Sequence, residues 1–314
     1  MFRFTRRAAL AVAAGLFAAT PAAAQDKLPV VATFSILGDM VRTVGGDDVA
    51  VTTLVGPNGD AHGFEPKPAD ARTVGQAKLV VANGLGFDDW INRLVKAAGY
   101  KGPVVIASKG VKARKAEHEH EHGHEGGHKH GGHDEDATDP HAWQDIGNGR
   151  RYVANIADAL AKADPDHAAA YWARAEAYDR ELAALDAELR AQLNAIPRPK
   201  RKIITSHDAF GYFGKSYGID FLSPVGVSTD SQPSAKDMAA LIRQMKQKKV
   251  RVLFIENMTD PRLVQQLARE GGGIVGGQVY SDALSERDGP APSYVEMFRH
   301  NVRAFTAALK QAGS

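Results

Sequence analysis

The amino-acid sequence predicts an α/β protein of two lobes, each with a mainly parallel sheet and flanking helices, joined by one long rigid helix. In the first half, short apolar β-rich runs alternate with helical segments, which is typical of βα units and a parallel sheet. The second half repeats this alternation. Between the halves, one apolar stripe continues for about 30 residues, or about 45 Å at 1.5 Å per residue.

Length and composition agree with this fold class. The chain has 314 residues, enough for two domains of ordinary size. Its 39 Lys and Arg residues nearly balance 37 Asp and Glu residues. There is therefore no basic excess of the kind that indicates a nucleic-acid partner.

Residues 1–24 have the pattern of an export signal. Three arginines precede the apolar run 8–19, and a cluster of alanines then predicts cleavage before Gln25. The run is too short for a spanning helix, and the pair Arg6-Arg7 leaves open ordinary or twin-arginine export. The chain has no cysteine. We therefore expect no disulfide and no lipidated N-terminal cysteine, and a mature protein free in the periplasm.

The N-terminal lobe is predicted over residues 25–163. Apolar, β-rich runs predict its buried strands, and segments of helical periodicity predict its helices. The predicted strands are 28–34, 49–55, 79–82 and 104–107. The predicted helices are 36–44, 68–77, 88–98 and 148–163. The glycines and prolines of residues 56–66 forbid regular structure there.

Residues 164–197 are predicted to form the linking helix. Asp164 offers an N-cap and Pro165 suits the first helical position. The apolar stripe consists of Tyr171, Ala175, Tyr178, Leu182, Leu185, Leu189 and Leu193. Pro197 and Pro199 end the helix. A helix of this length should run along both lobes, and its stiffness predicts small lobe movements.

The C-terminal lobe is predicted over residues 198–314. Its predicted strands are 202–205, 219–222, 250–256 and 277–280. Its predicted helices are 210–217, 234–248, 261–270 and 292–309.

A histidine-rich stretch at residues 117–136 interrupts the first lobe. Its histidines alternate with glutamates and glycine pairs, unlike a purification tag, and are His118, His120, His122, His124, His128, His130 and His133. Because the stretch has no large apolar side chain, we expect loop 115–137 to be disordered. Imidazoles and carboxylates are ligands for borderline metals, so we expect additional weak zinc sites here.

Five histidines lie outside this stretch. His167, in the first turn of the linking helix, and His300, on the outer face of the last helix, are expected at the surface. His62, His141 and His207 lie in predicted loops.

Polar residues also follow three predicted strands of the second lobe. His207 lies at the carboxyl end of strand 202–205, and Glu256 and Asp282 end or follow strands in the same way. Ligand sites in open α/β sheets lie at such ends. Spacing alone does not join these residues into one site, and no local metal motif is present. Scattered polar loop residues and helix-capping carboxylates remain an open alternative.

Six stretches, in order along the chain, resemble motifs of one family. They are Phe34-Ser35-Ile36-Leu37, residues 56–66 with Pro68-Ala69-Asp70, Asn83-Gly84-Leu85-Gly86-Phe87, Asp139-Pro140-His141-Ala142-Trp143, Ser206-His207-Asp208-Ala209-Phe210 and Tyr280-Ser281-Asp282-Ala283-Leu284-Ser285. The chain resembles the solute-binding proteins of ABC importers that serve zinc and manganese, along essentially its whole mature length. One stretch departs from the family: Asp230-Ser231-Gln232-Pro233-Ser234-Ala235 stands where relatives often show Glu-x-Glu-Pro-Ser-Ala.

Carried over residue by residue, the resemblance implies a metal site in the cleft between the lobes and no catalytic residue. The implied ligands are His62, His141, His207 and Asp282. Candidates to orient the imidazoles are the aspartates close to them in sequence, Asp60, Asp139 and Asp208. The alternative for each aspartate is a loop cap.

Three imidazoles and one carboxylate suit four-coordinate Zn²⁺, whereas Mn²⁺ prefers more oxygen ligands. Manganese-carrying relatives tend to have a carboxylate at the position of His207. The resemblance therefore implies one tight Zn²⁺ site in a monomer that captures zinc for a membrane permease, with or without a periplasmic zinc chaperone. Three alternatives stay open: a manganese-binding importer component, a zinc buffer that uses the histidine-rich loop, and a zinc hydrolase with Glu256 as base.

Overall fold

The computed structural model describes residues 26–116, 138–230 and 232–313. The predicted export signal and the seven histidines of residues 118–133 lie outside this part of the chain.

The first lobe is built on a four-stranded parallel sheet with the order β2-β1-β3-β4. Its strands are β1 (Leu28–Phe34), β2 (Val49–Val55), β3 (Leu79–Ala82) and β4 (Val104–Ile106). The burial of both faces explains why β1 and β3 read as continuous apolar runs.

The second lobe repeats this plan with the strand order β6-β5-β7-β8, again all parallel. Its strands are β5 (Lys202–Ile204), β6 (Asp220–Leu222), β7 (Val252–Glu256) and β8 (Ile274–Val279). The predicted α/β class with two parallel sheets is confirmed.

Nine α-helices flank the sheets in the described part of the chain. They are α1 (Ser35–Gly45), α2 (Pro68–Gln76), α3 (Trp90–Ala97), α4 (Ile146–Ala163), α5 (Ala168–Asn194), α6 (Gly211–Tyr217), α7 (Ala235–Lys248), α8 (Pro261–Gly271) and α9 (Tyr294–Gly313). None of these helices has the length and apolar character needed to cross a membrane.

Helix α5 is the linking helix, and it has 27 residues. All seven residues of the predicted stripe are buried, and the helix contacts α1, α4 and α9. The helix begins at Ala168, after a 3₁₀ turn at Pro165–His167. The carboxylate of Asp164 accepts hydrogen bonds from the Tyr171 hydroxyl and contacts His167 Nδ1, so it fixes this turn.

The two lobes also contact each other directly. The side chains of Trp143 and Gln144 donate to the carbonyl of Ser281, at 2.9 and 2.7 Å. The backbone N–H of Tyr294 donates to Asp39 Oδ2 at 2.8 Å. These bonds fix the position of one lobe relative to the other beside the cleft.

Candidate metal centre

Four side chains from four loops meet between the lobes. His62 lies in the loop after β2, and His141 precedes a 3₁₀ turn at Ala142–Gln144. His207 follows β5 and Asp282 follows β8. One ligand atom from each residue lies within 4.8 Å of the others. The carboxyl ends of parallel strands share one edge of a sheet, which is why residues so distant in sequence converge.

The donor atoms surround a small central space. His141 Nε2 is 3.3 Å from the Nε2 atoms of both His62 and His207. Asp282 Oδ2 is 3.1 Å from His207 Nε2 and 3.3 Å from His62 Nε2. The side chains of His141, His207 and Asp282 are at most 1% exposed, whereas that of His62 is 4% exposed. The cluster is thus closed on three sides, with His62 at its rim.

The carboxylate of Asp282 lacks hydrogen bonds of normal geometry to the described residues, although both of its oxygens are buried. A buried carboxylate without such partners is costly. A divalent cation among the four donors would supply the missing interaction. The donor chemistry and the orphaned oxygens therefore fit a metal ion.

Charge–charge interactions set the protonation of His141, His207 and Asp282. Burial lowers the pKa of His141, but Asp282 and Asp139 outweigh it and raise that pKa to about 9. Burial likewise opposes the charged form of His207, yet Glu256 and Asp282 hold its pKa well above the ordinary value. Burial raises the pKa of Asp282, and the two imidazoles more than reverse this, to well below its usual range. A metal ion must therefore displace protons to bind.

Two imidazoles are oriented by buried carboxylates behind them. Asp139 Oδ1 lies 2.9 Å from His141 Nδ1, the place expected from its position in sequence. Glu256 Oε2 lies 2.7 Å from His207 Nδ1, and Oε1 accepts from the His207 backbone N–H at 2.9 Å. Both carboxylates favour a proton on Nδ1 and so direct Nε2 to the centre, although the Glu256 contact lacks the geometry of a normal hydrogen bond.

The other two aspartates lie elsewhere than predicted. Asp60 accepts from the backbone N–H of His62 at 2.9 Å, because an aspartate two residues ahead readily folds back onto the main chain. Asp208 lines a separate cavity of about 880 Å³ with Arg114 and Lys215. Among the described residues, neither carboxylate makes a hydrogen bond to an imidazole nitrogen.

The carboxylate that faces His207 Nδ1 is that of Glu256 and not that of the candidate Asp208. Its sequence position showed only that it ends a strand. Because β7 lies next to β5 in the sheet, Glu256 stands beside His207. To predict this contact one must know the order of the strands in the sheet, which cannot be read from the sequence.

The remaining candidates lie away from the cluster. The imidazole of His167 is 25% exposed and pairs with Asp164. His300 is partly exposed and contacts the carbonyl of Gln278. Asp230 is exposed at the rim of a cavity beside His62.

Aromatic side chains form the wall behind the N-terminal donors. The ring of His62 contacts Phe87 at a centroid distance of 4.7 Å, and that of His141 contacts Trp143 at 5.2 Å. Phe34 packs against both Phe87 and Trp143. This wall excludes water from one side of the cluster and strengthens its electrostatic interactions.

A buried cluster of three histidines and one aspartate, held between two α/β lobes joined by a long helix, defines a metal-binding solute-binding protein. The chain matches the family described as zinc-uptake complex component A, periplasmic (ZnuA), over residues 30–308, and it belongs to that family. The family provides substrate-binding components of ABC transporters rather than enzymes, so the hydrolase alternative is wrong.

Relatives cover almost the whole chain and carry names of different metals. A manganese-binding lipoprotein, MntA of Halalkalibacterium halodurans, is 30% identical over 99% of this chain and 98% of its own length. The iron transporter lipoprotein MtsA of Streptococcus pyogenes is 30% identical over 92% of this chain and 91% of its own. The periplasmic zinc-binding protein TroA of Treponema pallidum has a solved structure with a TM-score of 0.81 and 29% identity, covering 90% of this chain and 99% of TroA.

Proposed function

We propose that this protein captures one Zn²⁺ tightly in the periplasm and delivers it to the membrane permease of an ABC importer. The ligands would be His62, His141, His207 and Asp282. The observation that carries the proposal is the convergence of these four donors within 4.8 Å, in a site closed on three sides and backed by orienting carboxylates.

The donor set supports zinc more than manganese. Three neutral nitrogens and one carboxylate oxygen make the four-coordinate environment that Zn²⁺ prefers, whereas Mn²⁺ is favoured by oxygen-rich sites. The metals named for the relatives differ, so the argument for zinc rests on the side chains of this chain. The sharpest difference lies at His207, where a carboxylate would favour manganese.

The histidine-rich stretch is proposed to collect zinc weakly and pass it to the tight site. Lys115 and Thr138, which lie close to the two ends of the segment 117–137, pair as an antiparallel β-bridge. Thr138 and His62 line the same cavity of about 400 Å³. The segment therefore leaves and rejoins the described chain beside the most exposed ligand.

We further propose a monomer with lobes over 25–163 and 198–314 linked by residues 164–197, exported with cleavage before Gln25. Delivery by a periplasmic zinc chaperone is compatible with this scheme. Small lobe movements are supported by the packing of α5 against helices of both lobes. Small-angle scattering with and without zinc should show nearly equal radii of gyration, and a large change would contradict this part of the proposal.

Calorimetric titration of the metal-free protein tests the function. The wild type and a deletion of residues 117–136 should each keep one tight zinc site, and the deletion should lose only weak sites. His62→Ala and His207→Ala should each weaken that site at least about 100-fold, since each removes a ligand. His300→Ala, which removes a partly exposed histidine outside the cluster, is the matched control.

Two results would overturn the proposal in different ways. Loss of tight binding in the deletion variant would favour the zinc buffer that works through the loop. Tighter binding of Mn²⁺ than of Zn²⁺ to the wild type would favour the manganese importer component.

A further inference from the structure

We propose that Asp60 and Thr229 form a clasp across the cleft that positions His62 and sets the rate at which bound metal leaves. This inference rests on the proposed metal site and adds two positioning residues to it. Neither residue touches the donor atoms at the centre.

The clasp is one carboxylate with two partners on opposite sides of the cleft. Asp60 Oδ1 accepts from the His62 backbone N–H at 2.9 Å. Its other oxygen, Oδ2, accepts from the Thr229 hydroxyl at 2.6 Å. Asp60 and His62 belong to the loop after β2 in the first lobe, and Thr229 belongs to the loop between β6 and α7 in the second. The carboxylate therefore ties the main chain of one ligand to the opposite lobe.

The way out of the cluster passes His62. His62 is the most exposed of the four side chains and the one that lines the cavity of about 400 Å³, together with Phe87, Ser228 and Asp230. The other donors are backed by Trp143, Asp139 and Glu256. A metal ion that leaves into this cavity would therefore exchange its His62 ligand first.

The rest of the His62 loop is held independently of the clasp. The backbone N–H of Asn58 donates to the carbonyl of Leu284 at 2.9 Å. On the other side, Trp90 Nε1 donates to the carbonyl of Ala61 at 3.0 Å. Loss of the Thr229 hydroxyl should therefore loosen the loop at Asp60 and His62 without unfolding it.

The position of the clasp predicts a kinetic effect. Because Thr229 is partly exposed, a water molecule would take the place of its hydroxyl at Asp60 in a variant without that group. The free-energy cost of losing this hydrogen bond is therefore at the lower end of the range for a charged acceptor. We expect Thr229→Val to raise the rate of metal release about five- to tenfold. Thr229→Ser keeps the hydroxyl and should release metal at nearly the wild-type rate. Asp60→Ala removes both contacts and should accelerate release further.

The experiment mixes zinc-loaded full-length mature protein with excess chelator in a stopped-flow instrument. Thr306→Val is the matched control, because the Thr306 hydroxyl donates within α9, to the carbonyls of Val302 and Arg303, and far from the cleft. Each variant is first shown to bind one tight zinc equivalent. Failure of the wild type at this step would reject the proposed function itself, not the clasp.

Unchanged release from Thr229→Val or from Asp60→Ala would overturn the clasp. Equal acceleration by Thr229→Val and Thr229→Ser would also overturn it, because the hydroxyl would then not be the cause. The expected result is faster release from Thr229→Val and Asp60→Ala but not from Thr229→Ser, with an unchanged melting temperature of the metal-free Thr229→Val protein, which separates positioning from general stability.

Discussion

Replacement of Glu256 by glutamine should weaken zinc binding by about 10- to 100-fold, although the substitution barely changes side-chain shape. The carboxylate accepts hydrogen bonds from the backbone N–H of His207 and the hydroxyl of Ser281, and its Oε2 also lies 2.7 Å from His207 Nδ1 as an ion pair. An amide has a single acceptor oxygen, so one end of the glutamine must present an NH₂ group to a donor.

Both orientations of the amide are unfavourable. If the oxygen faces the His207 backbone N–H, the NH₂ group opposes Nδ1–H. The imidazole must then move its proton to Nε2, the atom that faces the metal centre. If the oxygen faces Nδ1–H, the NH₂ group opposes a backbone N–H that cannot rotate. A buried donor left unpaired costs about 1–3 kcal/mol, and losses of 10- to 100-fold are typical for partners that orient metal-binding histidines.

Competition titration against a chromogenic chelator at neutral pH measures the affinity, and ¹⁵N NMR of the imidazoles reports the tautomer of His207. Ser281→Ala removes one donor and leaves both contacts to His207, so it should change affinity by less than fivefold. Wild-type affinity in Glu256→Gln, with Nδ1 still protonated, would refute the reasoning.

Three further predictions follow from the pKa values and the core. The pKa of His141 is raised to about 9, so protons compete with the metal for this side chain below that pH. Zinc affinity, measured by competition titration, should therefore keep rising from pH 6 to 9. An affinity that stays constant between pH 7 and 8.5 would contradict this prediction. Burial raises the pKa of Asp39 from 3.8 to about 6, and the hydrogen bond from the Tyr294 N–H offsets this only in part. The ionised carboxylate therefore destabilises the folded state above pH 6. This penalty fades as the pH falls towards 4. Asp39→Asn should raise the free energy of unfolding at pH 8 by at most about 3 kcal/mol, and a gain over wild type that persisted at pH 4 in denaturant titrations would argue against this cause. Leu189→Ala should lower the free energy of unfolding by about 2–5 kcal/mol, because Leu189 is fully buried in α5. Trp172 on the same helix is 41% exposed, so Trp172→Ala should stay within about 0.5 kcal/mol of wild type in the same denaturation assay.

The order of strands and helices could be predicted from the sequence, whereas several boundaries could not. Strand β7 begins at Val252 instead of 250 because the N–H of Val250 still bonds to Met245 at the end of α7. Helix α3 begins at Trp90 instead of 88 because the Asp88 carboxylate accepts from Thr33, Asn83 and Gly84. These local competitions between hydrogen bonds leave no periodic pattern in the sequence.

Some parts of the candidate site could likewise be predicted from the sequence, and others could not. Strand ends marked His207 and Asp282 as candidates, but their convergence with His62 and His141 came only from the resemblance to a family. Sequence proximity found the Asp139 contact to His141. It failed for Asp60, whose carboxylate binds main chain and Thr229, and for Glu256, which lies 49 residues from its partner. The Glu256 contact depends on strand order and the Thr229 contact on how the two lobes face each other, and sequence spacing encodes neither.

The β-bridge between Lys115 and Thr138 also bears on how this family member can evolve. Because the chain departs and returns at neighbouring points, the segment between them can change length with little effect on the fold. Loop-closure entropy grows slowly, by about 0.6 kcal/mol for each doubling of length. Histidines can therefore be gained or lost there by insertion and deletion, and such length changes would leave the distances within the cluster of His62, His141, His207 and Asp282 unchanged. The bridge separates a segment whose length can change from a cluster whose distances must stay fixed.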